Sequence, residues 1–277
     1  MITVPVLFVC LFTGIIHFTE TLVYAFRLAG VQTRCLAISM SLFTSALLIS
    51  RLSNMLQAPL LGTMIDQVIH TNASLITLTH HFRYIIGIAG LGSLIGVLIT
   101  PVAIPLFQRI ILSFQANGSV IRLIISRVIW PRWSDFQNYR AIFQRLSRLL
   151  SAIRHLPKSF LVLNIIVTAV YTIGVLCALY AGAIVPEFRA TAIQLSGLIN
   201  GIATILLTLF VDPALARITD QTLRHNRPDT DIKAAILWLL LGRLVGIFIL
   251  AQLLFMPFSQ YLARVTQWLA TLSVGAL

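Results

Sequence analysis

Six stretches of this chain stay apolar for about twenty residues or more, the length that carries a helix across the hydrocarbon of a bilayer at about 1.5 Å per residue. They run approximately Ile2–Phe26, Leu36–Thr63, Tyr84–Phe107, Ser159–Ile184, Thr191–Phe210 and Ala234–Met256. The period-2 alternation of a membrane β-barrel is not seen. The expected fold class is therefore an all-α polytopic membrane protein of about six transmembrane helices. Only 10% of the residues are charged, against about a quarter in a soluble domain. The second stretch is long enough to tilt, or to break near Pro59 and Gly62. The first has no basic n-region and is read as a span rather than a cleaved signal.

The charge is lopsided, with 20 Lys plus Arg against 8 Asp plus Glu. The aromatics lie inside the spans, not among the basic residues, so nucleic acid is not the expected partner. Anionic membrane lipids and topology account for the excess. Between Gln108 and Lys158 lie Arg109, Arg122, Arg127, Arg132, Arg140, Arg145, Arg148, Arg154 and Lys158, with Asp135 as the sole acid. The positive-inside rule makes that loop cytoplasmic. Arg34, Arg217, Arg224, Arg227 and Lys233 then fall on the same side, and both termini face outward. From Tyr139 to Ile153 the apolar residues recur on one helical face, with Arg140, Arg148 and Arg154 opposite. This basic amphipathic helix lies either in the cytoplasmic headgroup layer or against the protein's own spans.

The chain divides into residues 1–107, a basic loop 108–158, residues 159–256 and an external tail 257–277. The two span-bearing parts share a faint repeat. VYAFRLAG leads to APLLGTMIDQ in the first, and LYAGAIVP to DPALARITDQ in the second. Pro59 matches Pro213 and Asp66 matches Asp220, both at an offset of 154 residues. Three spans per repeat would make the halves inverted in the membrane. In transporters built this way the substrate binds where the repeats meet. Chance likeness between apolar helices is the alternative.

Charged residues inside spans need a reason. The stretch HFTETLVYAFR carries Thr13's neighbours His17, Glu20, Tyr24 and Arg27. At about 100° per residue these side chains fall within about 80° of each other, so they must face other helices or water. The second span adds Arg51, Asn54 and Gln57, and the sixth adds Arg243 between Gly242 and Gly246, which permit close helix approach. A Glu–Arg bridge between helices is one explanation. A cationic cavity for an anionic substrate is the other, and the two can coexist. Arg27, Arg51, Asn54, Gln57 and Arg243 are the candidate substrate contacts, with the forked arginines suited to a diphosphate. His17, Glu20 and Tyr24 are the candidates for coupling or gating.

Motifs for catalysis are missing. P-loop, HExxH and GxSxG patterns are absent from the sequence. His80-His81 reads as a loop or interfacial pair, and Cys10, Cys35 and Cys177 as small apolar residues. No enzyme activity, cofactor or metal is expected.

The segments HFTETLVYAFRLAGVQT and SLFTSALLISRLSNMLQAPLLG resemble the Amj family of bacterial membrane proteins, most densely over Ile16–Asp66. Members of that family are lipid II flippases, alternates to the MurJ flippases. The resemblance implies translocation of the undecaprenyl-pyrophosphate-linked peptidoglycan precursor across the bacterial cytoplasmic membrane. Lipid II would then be the partner. Six spans form a small body for so large a headgroup, which suggests a homodimer or a groove open to lipid. A transporter of another anionic lipid or solute, and an enzyme acting on polyprenyl phosphates, are the competing readings.

Overall fold

The computed structural model describes residues 4–71, 73–119, 130–136 and 146–274. Among them the chain is helical, with no strand. Helix α1 (Val4–Leu22) and α2 (Tyr24–Thr33) form one jointed span. They are followed by α3 (Leu36–His70), α4 (Leu75–Asn117) and α5 (Lys158–Ile184). Helix α6 (Arg189–Leu206) passes through a π-helical segment, Leu207–Val211, into α7 (Asp212–Leu223). Helix α8 (Asp229–Val245) continues through a second π-helical segment, Gly246–Ala251, into α9 (Gln252–Val274). Six helical runs are long and apolar enough to cross a membrane. The protein is a multi-pass membrane protein, as the apolar stretches indicate.

The helices outrun the apolar stretches because hydropathy marks the hydrocarbon, while hydrogen bonding and caps mark the helix. The third span begins at Leu75, where Ser74 Oγ accepts from the Ile76 amide at 3.2 Å, and stops at the left-handed Gly118 (φ 64°). His80 and His81 therefore lie on a helix, not in a loop. Pro101 and Pro105 stay inside it. Membrane helices tolerate such breaks when neighbours re-satisfy the freed carbonyls. The last span likewise runs through Pro257 to Val274, so the stretch read as a tail is largely helix. The π-helical segment Leu207–Val211 lies just before Pro213, whose missing N–H disturbs the helical ladder at that level.

The joint at Val23 has no proline or glycine. Thr21 Oγ1 donates back to the His17 carbonyl at 2.6 Å, a bond that bends helices. The Phe26 amide then reaches only to the Val23 carbonyl, at 3.0 Å.

Two helices organise the packing. Helix α1 lies against both α3 and α4, which touch each other little. Helix α5 does the same in the second half, against α6 and against the α8–α9 span. One end of the bundle gathers Arg34, the described residues of the 108–158 connection and Arg224–Lys233, and is called the basic end below. There Arg34 Nη2 lies 3.3 Å from His225 Nε2, joining the turn between the first two spans to the end of the fifth. At the other end Arg189 pairs with Asp66, joining the start of the fifth to the end of the second.

Residues 137–145 of the expected amphipathic helix lie outside the described residues. Residues 146–152 are helical, and a 3₁₀ turn follows at Ile153–His155. Ala152, Ile153 and Leu156 are buried with Leu28, Ile232 and Ala235. The described part thus packs against the protein's own spans.

Spans 1 and 3 approach closely at Gly14 and Gly92. A Cβ at Gly92 would lie 2.5 Å from the Gly14 carbonyl oxygen and 3.1 Å from its Cα. Backbone cannot yield as a side chain can. Gly92→Ala is expected to destabilise the protein by about 1–3 kcal/mol, the usual cost of overpacking. Gly62→Ala, where a Cβ meets nothing within 4 Å, should not destabilise it. Unfolding of the purified variants in mixed detergent measures both.

Candidate functional site

Glu20, Ser50 and Arg243 each stand about 21 Å along their helices from the basic end, at 1.5 Å per residue. That common depth lets three spans bring them together near the middle of the bundle. Arg243 Nη2 donates to Glu20 Oε2 at 2.5 Å. The same nitrogen lies 3.1 Å from His17 Nδ1. Arginine only donates, so the imidazole nitrogen facing it accepts. Ser50 Oγ donates to Glu20 Oε1 at 3.0 Å, and Arg243 Nε reaches Ser93 Oγ at 3.4 Å. Spans 1, 2, 3 and 6 thus meet in one charge-neutral node. Its two ionic side chains are 19% and 11% exposed for Glu20 and Arg243.

Small residues let the sixth span carry an arginine here. A Cβ at Gly246 would stand 2.8 Å from the Ile165 carbonyl, so α5 lies against this stretch of backbone. Asn164 of α5 donates to the Leu239 carbonyl at 3.3 Å and fixes the same crossing.

The remaining polar residues of the spans fall into three groups. Gln57 is buried and donates to Thr13 Oγ1 at 2.8 Å, so it ties the second span to the first. Tyr24 and Arg27 stand beyond the Val23 joint, on α2. Arg27 is buried, its Nε has no hydrogen-bond partner, and it feels Asp212 of α7 electrostatically. Tyr24 packs edge-on against Phe43 with ring centres 6.4 Å apart. The stripe expected on span 1 therefore serves more than one neighbour. His17 and Glu20 face the node, Tyr24 packs on the second span, and Arg27 turns toward Asp212 of the fifth.

Arg51 and Asn54 form the third group. Both are exposed. Arg51 sits one residue past Ser50, so about 100° of helix turn carries it from the node's face to an open one. It has no hydrogen-bond or ion-pair partner among the described residues. Tyr171 of α5 is 47% exposed and feels Arg51, Glu20 and Arg243 together. Arg51 and Tyr171 thus border an open face of the bundle beside the node, and Asn54 follows Arg51 on the exposed side of α3. Arg51 and Arg243, both candidates for one diphosphate, differ here: Arg243 is committed to Glu20, and Arg51 is free.

Sequence reasoning missed Ser50, Ser93, Tyr171 and the role of Asp212. Serine and threonine in a membrane helix usually bond back to their own helix, as Thr100 does to the Gly96 carbonyl at 2.8 Å. Nothing in the sequence marks Ser50 and Ser93 as reaching other helices instead. Among the described residues no three His, Cys, Asp or Glu side chains gather as a metal site would require.

Residues 12–266 match the family described as "Alternate to MurJ", Amj. The chain belongs to the Amj family. It is 36% identical over 272 residues to the lipid II flippase Amj of Bacillus subtilis (strain 168), across 97% of this chain and 99% of that protein. No solved structure matches. The matched region of this Amj-family chain contains every residue of the node and of the open face.

The node makes a graded prediction. Ser50→Ala removes a hydrogen bond to a carboxylate and should cost about 1.5–3 kcal/mol. Ser93→Ala removes a long contact and should cost less than about 1 kcal/mol. Denaturant midpoints of the two variants should fall in that order, and the reverse order would contradict this geometry.

Proposed function

We propose that this Amj-family protein translocates lipid II, the polyprenyl-diphosphate-linked peptidoglycan precursor, from the cytoplasmic to the outer leaflet. The single observation that carries the reading is the 36% identity, over nearly the full length of both chains, to a protein named as a lipid II flippase. The basic end is the cytoplasmic one by the positive-inside rule, which puts both termini on the outer side.

The physics of the node supports such a path. A diphosphate cannot cross hydrocarbon without compensating charge, whereas a polyprenyl tail is at home there. A groove open to lipid separates the two: the headgroup follows polar side chains and the tail stays outside. The second and fifth spans are the least buried of the six, each 22% buried over its most apolar window, and leave such faces open. A homodimer would cover the same faces. Arg51 is the contact offered to the diphosphate. A lone arginine at mid-depth costs about 2.5–3.5 kcal/mol on insertion scales, and an anion in the groove offsets that cost. Asn54 and Tyr171 add neutral polar contacts beside it. Arg243 joins the substrate when Glu20 lets it go, so Glu20 and His17 act as the gate. Gln57 positions the spans, and Arg27 with Tyr24 marks the cytoplasmic half of the route.

The inverted-repeat reading, residues 1–107 against 159–256, gains support from the packing. In each half the first span alone bridges the other two. The Arg34–His225 contact also ties the turn before span 2 to the end of span 5, and Asp66–Arg189 ties the end of span 2 to the start of span 5 at the opposite end of the bundle. Two related ends, each held by one polar tie, suit a transporter that opens to either side.

Full-length protein in lipid vesicles carrying lipid II tests the reading through the appearance of lipid II in the opposite leaflet. Translocation is expected with the wild type. Arg51→Gln should fold normally, since that side chain is exposed, and lower the rate about tenfold or more, the loss of one charge-assisted hydrogen bond. Folded wild-type protein that moves no lipid II would overturn the proposal.

A further inference from the structure

A cavity lies at the basic end, well away from the node. It has a volume of about 590 Å³ and opens between residues 147–155 and the start of α8. Arg148, Arg154, His155, Ser147, Ser151 and Thr230 line it. The size falls in the usual range for small-molecule sites.

Its walls are fixed. Ala152, Ile153 and Leu156 are buried in an apolar cluster with Leu28 and Ile232. Arg227 ties the two sides, donating from Nη2 to the His155 carbonyl at 3.2 Å and from Nε to Asp231 Oδ2 at 2.6 Å. That ion pair also neutralises Asp231, the acid that lines the cavity. Arg148 and Arg154 are exposed and have no partner among the described residues. The cavity therefore carries two uncompensated guanidinium groups beside three hydroxyls. Charge balance calls for an anion with several oxygens.

We propose that this cavity binds a diphosphate ester. Each guanidinium fork takes two oxygens at once, a geometry that fits phosphate better than a point charge does. The volume leaves room for a group attached to the diphosphate. Thr230 stands about 20 Å along α8 from Arg243, so a ligand here is at the bilayer surface and not in the node. Two sources share this chemistry: a lipid-linked diphosphate of the adjoining leaflet and a soluble one. If lipid II is the ligand, a step that rests on the transport reading, this is where its headgroup docks before entering the groove.

The test uses full-length protein in phosphatidylcholine nanodiscs, with farnesyl diphosphate and inorganic pyrophosphate as separate probes. Wild-type protein is expected to bind at least one of them. Arg148→Gln/Arg154→Gln should weaken that binding about tenfold or more, as removal of charge-assisted hydrogen bonds does. Arg148→Lys/Arg154→Lys should recover part of the loss. Arg264→Gln, which removes a cation at the other end of the bundle, should change it less than about twofold. Preference for farnesyl diphosphate identifies the lipid-linked source, and equal binding the soluble one. A Ser151→Cys variant gives an independent readout: pyrophosphate or farnesyl diphosphate should slow alkylation of that thiol. The proposal is overturned if the wild type binds neither probe, if the glutamine variant binds as well as the wild type, or if neither probe slows alkylation. Binding is read without translocation, so failure of vesicle transport with intact binding would sink the transport reading alone.

Discussion

The Glu20–Arg243 ion pair is the contact on which the arrangement of this bundle depends. Each charge alone is expensive at mid-depth, and neither can reach water by extending along its helix. Together they are neutral, and His17, Ser50 and Ser93 add further hydrogen-bonding contacts to the pair. The cost of separating them fixes the sixth span against the first, and Ser50 brings in the second. The register of these helices follows. Glu20, Ser50 and Arg243 must arrive at one depth, and the Gly246 approach to α5 leaves the sixth span little freedom to slide.

Span 1 serves more than one partner because it is jointed. On one side of Val23 it carries the node, and on the other Tyr24 packs on the second span while Arg27 faces Asp212 of the fifth. The bend arises from a threonine hydroxyl rather than a proline, so the two segments keep a nearly continuous ladder. Arg51, turned from the node by one residue, is left as an unpaired cation on the open face.

Much of this was legible in the sequence. Six apolar runs of spanning length gave the six membrane-spanning helices, and the 3.6-residue period of His17, Glu20, Tyr24 and Arg27 showed that they face inward. The quoted segments around Ile16–Asp66 pointed to the Amj family, and the match over residues 12–266 establishes it. A Glu–Arg bridge was one of the readings of Glu20, and its arginine was not chosen, because Arg51 and Arg243 lie at similar depths and only tertiary packing separates them. Arg51 loses to Arg243 through the 100° between successive residues of α3, and that span has too little amphipathic pattern to show which face is inward. The joint at Val23 was invisible for a different reason. It follows from one side-chain hydrogen bond of Thr21, a residue type that bonds back to its helix in many places without consequence.

A double-mutant cycle of Glu20→Gln and Arg243→Gln tests the central claim most directly, with unfolding free energies measured in the same detergent or bilayer. Each single variant leaves a buried charge without its partner and is predicted to lose about 3–5 kcal/mol. The double variant buries two neutral amides and is predicted to be no less stable than either single one. Losses that simply add would contradict the account, because the two residues would then act independently and the node would not be what holds these spans together.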